Sequence, residues 1–157
     1  MSDMIIYRQI RLHQKECLRL YPVAPFLTRI PDRDIQVGGF EVPAGQLILL
    51  SIFAMGRMPE YFTEPEKYWP ARWDRIGSSG QHLGVRNSFA SLPFGHGIRN
   101  CIGKKIAEEA IKDLVLNAVL KYRLTDLNKS KGIDMTMNFT GKPDSEIKLG
   151  ISKVRRY

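Results

Sequence analysis

A single cysteine framed by glycines and cations, immediately ahead of a long apolar helix, constrains this chain more than any other feature. The stretch reads Phe94-Gly95-His96-Gly97-Ile98-Arg99-Asn100-Cys101-Ile102-Gly103. Gly95 and Gly97 let the backbone turn tightly, and Gly103 has no side chain to obstruct a flat ligand or a neighbouring backbone. Cys101 then stands at a helix entrance. The free N–H groups of that first turn, the positive end of the macrodipole, and Arg99, Lys104 and Lys105 all favour thiolate over thiol. A thiolate so placed is a nucleophile or a metal ligand. As a nucleophile it needs a base, and His96 is the only histidine at hand. As part of a zinc site it needs further Cys and His at short spacing, and the chain holds two Cys and three His in all. A Cys-x-x-Cys-His attachment signature is absent. What remains is a single soft axial ligand to an iron whose other positions come from a macrocycle. Against this stands the ordinary fate of a free cysteine, a small inert core residue beside a turn.

The order Phe-x-x-Gly-x-Arg-x-Cys-x-Gly, filled by Phe94, Gly97, Arg99, Cys101 and Gly103, resembles the haem-binding loop of the cytochrome P-450 monooxygenases. The resemblance implies haem b (iron protoporphyrin) with Cys101 as proximal thiolate ligand, Arg99 on a propionate and Phe94 shielding the sulfur. It also implies an α+β, mainly α fold, the C-terminal part of the P-450 fold with small antiparallel sheets.

Composition sets only broad bounds. The 157 residues, 43% of them hydrophobic, suffice for one core. Two cysteines exclude a disulfide scaffold. A net charge of +8 gives a basic surface suited to nucleic acid, an anionic membrane or an acidic protein. No nucleic-acid motif accompanies it. No apolar run is long enough to span a bilayer, and the N-terminus lacks the apolar core of a signal peptide.

Along the chain, residues 5 to 20 carry apolar positions at helical spacing and stop before Tyr21-Pro22. Glu16 and Arg19 share one face of that helix, ordinarily a surface pair worth a few tenths of a kcal/mol. Here they match the family's Glu-x-x-Arg signature, and Pro70-Ala71-Arg72-Trp73 matches its Pro-x-Arg-aromatic element. The resemblance therefore joins Glu16, Arg19 and Arg72 in a buried network, two cations on one carboxylate. Cys17 reads as a small core residue. Pro22 and Pro25 force an extended path from Val23 to Ile30. By resemblance Val23, Ala24, Pro25, Phe26 and Leu27 line the substrate pocket, and Arg29 reaches a propionate.

Ile35–Val37 and Gln46–Ile52 read as strands of one small sheet, with turns at Gly38-Gly39 and Pro43-Ala44-Gly45. Gly56–Trp73 is punctuated by prolines and aromatics and leaves no room for a long helix. Ile76–Ser91 reads as a solvated loop that includes His82. Gly103–Tyr122 reads as a core helix. Met135–Phe139 and Ile147–Ile151 read as two strands joined by the turn Thr140–Ser145, whose tip by resemblance enters the substrate pocket.

The resemblance runs from about Leu12 to Ile151, and only with the family's C-terminal portion. The central helix that delivers protons to bound oxygen, the N-terminal region and the membrane anchor have no counterpart here. The expectation is one partial P-450 domain over 1–157, a truncated isoform or partial gene product. Its parent hydroxylates a lipophilic, steroid-like substrate with dioxygen, whereas the short chain itself is either the enzyme's haem end or a non-catalytic remnant. Arg11 and Lys15, one helical turn apart, with Lys104-Lys105 after Gly103, resemble the mitochondrial branch, which takes electrons from an acidic ferredoxin on the matrix side of the inner membrane. That branch often has Arg-Arg where Lys104-Lys105 stand, a change that keeps charge and loses the guanidinium fork. The alternative is the endoplasmic-reticulum branch, served by a flavoprotein reductase.

Overall fold

A computed structural model describes residues 2–77, 80–128 and 134–154. It opens with helix α1, Ser2–Leu20. Leu12, Glu16, Arg19 and Leu20 fall on one stripe at spacings of four, seven and eight residues, and all four are buried. That stripe is half apolar and half ionic, which is unusual for a core face.

After the buried Pro22 and Pro25, strand β1 (Phe26–Arg29) runs antiparallel to β4 (Ile48–Ser51). Between them β2 (Ile35–Val37) pairs with β3 (Phe40–Val42), with Val37 opposite Phe40. Gly38 and Gly39 both hold positive φ, 59° and 88°, as a two-residue hairpin requires. This differs from a single sheet of Ile35–Val37 with the strand after Gly45, because the Gly-Gly turn finds its partner locally and leaves Ile48–Ser51 to β1.

Ser51 caps a single turn, α2 (Ile52–Met55), through its hydroxyl to the Ala54 N–H. The proline-rich segment that follows forms no long helix, only a 3-10 turn at Pro70–Trp73. Phe62, Trp73, Val85, Ala90 and Leu12 make the apolar core, with Tyr61 packed on it. Phe62 is wholly buried, a side chain whose removal from water is worth about 1.5–3 kcal/mol. Trp73 meets it edge-on at 6.0 Å. α1 packs on the Pro70–Trp73 turn and on helix α3, Lys104–Lys121.

No residue of α3 is buried, and Ile106 and Leu114 are 77% and 71% exposed. The helix is therefore not core within the described residues, since one side alone meets α1 and strand β5, Tyr122–Asp126. Beyond it β6 (Met135–Met137) pairs with β7 (Gly141–Pro143), while β8 (Leu149–Lys153) returns to β5. The two C-terminal strands thus belong to different ribbons rather than to one hairpin. Of the polar stretch Asp126 to Gly132, Lys129 to Gly132 lie outside the described residues. The architecture is α+β with four two-stranded antiparallel ribbons among the described residues. No described helix is long and apolar enough to cross a membrane.

Candidate functional site

The cysteine loop is closed by its own backbone. The Cys101 N–H donates to the Phe94 carbonyl at 2.8 Å, and the Lys104 N–H donates to the Cys101 carbonyl at 3.3 Å as α3 begins. Gly95 and Gly97, at φ 72° and 75°, sit in the left-handed region that a side chain would strain. The loop therefore follows the glycine spacing in the sequence. Its product is an exposed Cys101 thiol at the foot of α3, flanked by Ile98 and Ile102, both wholly exposed. Gly103 lies beside it, where an added Cβ would stand 3.9 Å from Sγ. Phe94 is half-buried, with Lys104 Nζ 6.0 Å above its ring. An exposed thiol between two exposed isoleucines and bare glycine is a surface that a flat apolar group with a thiolate-seeking metal fits. No cluster of three metal-ligating side chains competes with it among the described residues.

Arg99 and Arg29 are both exposed, and Arg29 Nη1 donates to the Thr28 carbonyl at 2.7 Å. Of the extended segment, Pro25 is buried, Ala24 and Leu27 are partly covered, and Val23 and Phe26 face solvent. A Cβ on Gly95 would lie 4.0 Å from Leu27 Cδ1, so β1 borders the cysteine loop. The Gly141 N–H donates to the Val23 carbonyl at 2.8 Å, which ties the β6–β7 turn to the same segment.

Behind the loop lies an ionic centre. Glu16 accepts from Arg19 Nε and Nη2 at 3.0 and 2.8 Å, from Arg72 Nε at 2.9 Å, from the Trp69 N–H at 2.8 Å and from Trp73 Nε1 at 2.9 Å. The remaining guanidinium donors end on backbone carbonyls: Gly56, Pro65 and Lys67 for Arg19, and Thr63, Gly84, Glu64 and Lys67 for Arg72. All three side chains are sealed from solvent. Burial pushes the Glu16 carboxyl up, but the bonds from Arg19 and the Trp69 backbone outweigh it and hold it below its usual 4.5. The sequence marks Trp73 only as the aromatic of the Pro-x-Arg-aromatic element and gives Trp69 no role, whereas both donate to Glu16. The available signal was position, since an indole donor adjoins Arg72. Nor does the sequence show that Arg72 anchors the proline-rich segment by gripping its carbonyls.

On the other side of α1 a cavity of about 540 Å³ opens between α1, α3 and the cysteine loop. Arg11, Lys15, Lys104 and Phe94 line it; Lys105 is exposed and does not. Burial lowers the Lys15 pKa, and the charges of Arg11, Arg75 and Lys104 lower it further against a smaller opposite effect of Glu108. Lys15 Nζ lies 5.2 Å above the Trp73 ring. His82 is half-buried with its ring 6.0 Å from Trp73, so it is no solvated connector. Cys17 is exposed rather than core, its Sγ 3.5 Å from the Tyr68 hydroxyl, because the buried stripe of α1 passes through Glu16 and Arg19 on either side of it.

Comparison with known proteins matches this arrangement to one family. The cytochrome P-450 family description covers residues 13–150. Mouse mitochondrial cytochrome P-450 11B2 is 38% identical over 145 residues, 92% of this chain and 26% of that protein. The mitochondrial sterol 26-hydroxylase of Oryctolagus cuniculus is 40% identical over 111 residues, 70% of this chain and 21% of that protein. Among solved structures, a mutant cytochrome P-450DA haem domain superposes with a TM-score of 0.77 at 28% identity, covering 93% of this chain and 32% of that one. The chain belongs to the cytochrome P-450 family, whose members are haem-thiolate monooxygenases. It spans about a quarter of the length of the curated relatives it matches.

Proposed function

We propose that this chain forms the haem-thiolate end of a monooxygenase that hydroxylates a lipophilic, steroid-like molecule. The observation that carries the reading is the exposed Cys101 thiol held at the foot of α3 by the Cys101-to-Phe94 backbone bond. Haem bound through such a thiolate supplies dioxygen chemistry, since the sulfur pushes electron density that favours O–O cleavage. Cys101 would ligate the iron, Arg99 and Arg29 would pair with the propionates, and Phe94 and Gly103 would frame the sulfur. Val23 to Leu27, joined to the β6–β7 turn through Gly141, would form one wall of the substrate pocket.

Arg11, Lys15, Lys104 and Lys105 supply a cationic face near the base of the cysteine loop. An acidic ferredoxin on the matrix side of the inner membrane fits it by charge, and the similar enzymes of mouse, rabbit and fruit fly, which are named as mitochondrial, support the mitochondrial site. In a haem-loaded protein carrying this chain, the reduced carbon-monoxide complex should show the red-shifted Soret band of thiolate ligation. Cys101→Ala should abolish it. Retention of that band at full strength would overturn the assignment.

A second, non-catalytic reading has one observation in its favour. Ile98, Ile102 and Ile106 stand exposed and α3 carries no buried residue, so the described residues do not by themselves enclose a macrocycle. Haem retention by the isolated 157-residue chain on a sizing column would remove this reading.

A further inference from the structure

The cavity between α1 and α3 is lined mostly by residues that the haem end does not use, Phe94 and Gly95 of the cysteine loop excepted. Of its Lys and Arg side chains, Arg11, Lys15 and Lys104 have no carboxylate within salt-bridge distance among the described residues, whereas Lys112 is paired with Glu109. Of the lining carboxylates, Glu109 is bound to Lys112, and only Glu108 stands near Lys15. Two further lining residues carry buried polar nitrogens without a partner, Gln14 Nε2 and His82 Nδ1. An unpaired buried donor costs free energy that an acceptor returns. The terminal amide of Gln14 turns about a soft torsion, so a small rotation serves the cavity. Unpaired cations and the spare Gln14 amide donor ask for one kind of occupant, a molecule rich in acceptors that carries more than one negative charge, and His82 Nδ1 serves it in the tautomer that carries its proton there. At about 540 Å³ the space lies within the ordinary range of small-ligand sites and exceeds what one water-sized ion fills.

We propose that this cavity is a binding site for a small polyvalent oxyanion, phosphate- or carboxylate-based, held by Lys15, Lys104 and Arg11 with Gln14 and His82 as neutral donors. Because the cavity opens on the cationic face described above, an occupant neutralises that face and competes with an acidic protein docking there. This consequence rests on the proposed docking face, whereas the binding itself does not.

The test is calorimetric titration of a haem-loaded protein carrying this chain, at constant ionic strength set with chloride, using diphosphate in one arm and citrate in the other. Saturable binding of one equivalent of either anion is expected, and the stronger arm tells phosphate from carboxylate recognition. Lys15→Gln with Lys104→Gln should weaken binding at least tenfold, and His82→Phe should weaken it with the cations intact. No saturable heat with either anion, or undiminished affinity in the double variant, would overturn the site. Partner-supported turnover is measured separately. Diphosphate binding without inhibition of turnover would leave the site standing and remove the docking face.

Discussion

Glu16 Oε1 and Arg72 Nε meet at 2.9 Å across 56 residues of sequence, with neither side chain reached by solvent. This contact fastens the proline-rich segment to α1. Arg72 uses its other donors to hold the carbonyls of Thr63, Glu64, Lys67 and Gly84, so one guanidinium replaces the backbone ladder that a prolyl segment cannot build. Arg19 does the same toward Gly56, Pro65 and Lys67. The carboxylate between them is the one buried anion paired with both guanidiniums among the described residues, and its loss strands two buried cations.

Glu16→Gln is accordingly expected to lower stability by about 3–5 kcal/mol, the cost of breaking a buried ion network by removing one partner. The loss should show as reduced folded yield and a lower thermal midpoint before any change in chemistry. Normal stability with activity alone lost would make Glu16 a reacting group instead.

The same carboxylate gives a pH dependence of known sign. Its folded pKa lies below the usual 4.5, so unfolded chains take up the proton first as pH falls. The stabilisation is complete above the unfolded value and is lost as pH drops through the folded one. Denaturant midpoints measured from about pH 6 down to about pH 3 should therefore fall more steeply in the parent protein than in Glu16→Gln. Parallel curves would show that another carboxyl governs acid sensitivity.

Gly56 is packed against the network it serves. A Cβ there would lie 2.7 Å from the Arg19 carbonyl oxygen and 3.3 Å from Arg19 Cγ, and the Gly56 carbonyl itself accepts from Arg19. Gly56→Ala should cost about 1–3 kcal/mol through overpacking, read as a lower melting temperature. A neutral substitution would mean that α1 shifts freely, against the buried geometry of Arg19.

Much of this arrangement is legible in sequence because its signals are local. The bounds of α1 follow from apolar spacing and Tyr21-Pro22, and those of α3 from the run between Gly103 and Tyr122. The cysteine loop follows from its glycines, which take the positive φ that such a turn needs at Gly95 and Gly97. Strand pairing is not legible in the same way. A short apolar run bounded by turn residues marks Ile48–Ser51 as a strand but does not say that β1 is its partner, because pairing is decided by contacts distant in sequence. The exposure of α3 is hidden for a related reason: apolar spacing shows which face seeks cover, not whether the described residues supply it. The cationic cavity escapes because Gln14 and His82 lie on segments that only the fold brings together.

The last prediction concerns how electrons arrive. Lys15 and Lys104 stand on different helices, yet both line the cavity beside Phe94, and the charge of Lys104 adds a minor part to the lowering of the Lys15 pKa, behind burial, Arg11 and Arg75. Like charges gathered with Glu108 nearby but no salt bridge among the described residues are tolerated on a surface that attracts anions, and they steer an acidic partner by long-range attraction rather than by tight packing. Screening over roughly 8 Å at physiological salt means that the effect weakens as ionic strength rises. In a haem-loaded protein carrying this chain, Lys15→Glu with Lys104→Glu should cut ferredoxin-supported turnover at least tenfold at low salt. Substrate binding and peroxide-driven turnover should stay near the parent values, since neither uses this face. Unchanged ferredoxin rates, or a preference for a flavoprotein reductase, would assign the face to a different partner and place the enzyme with the endoplasmic-reticulum branch.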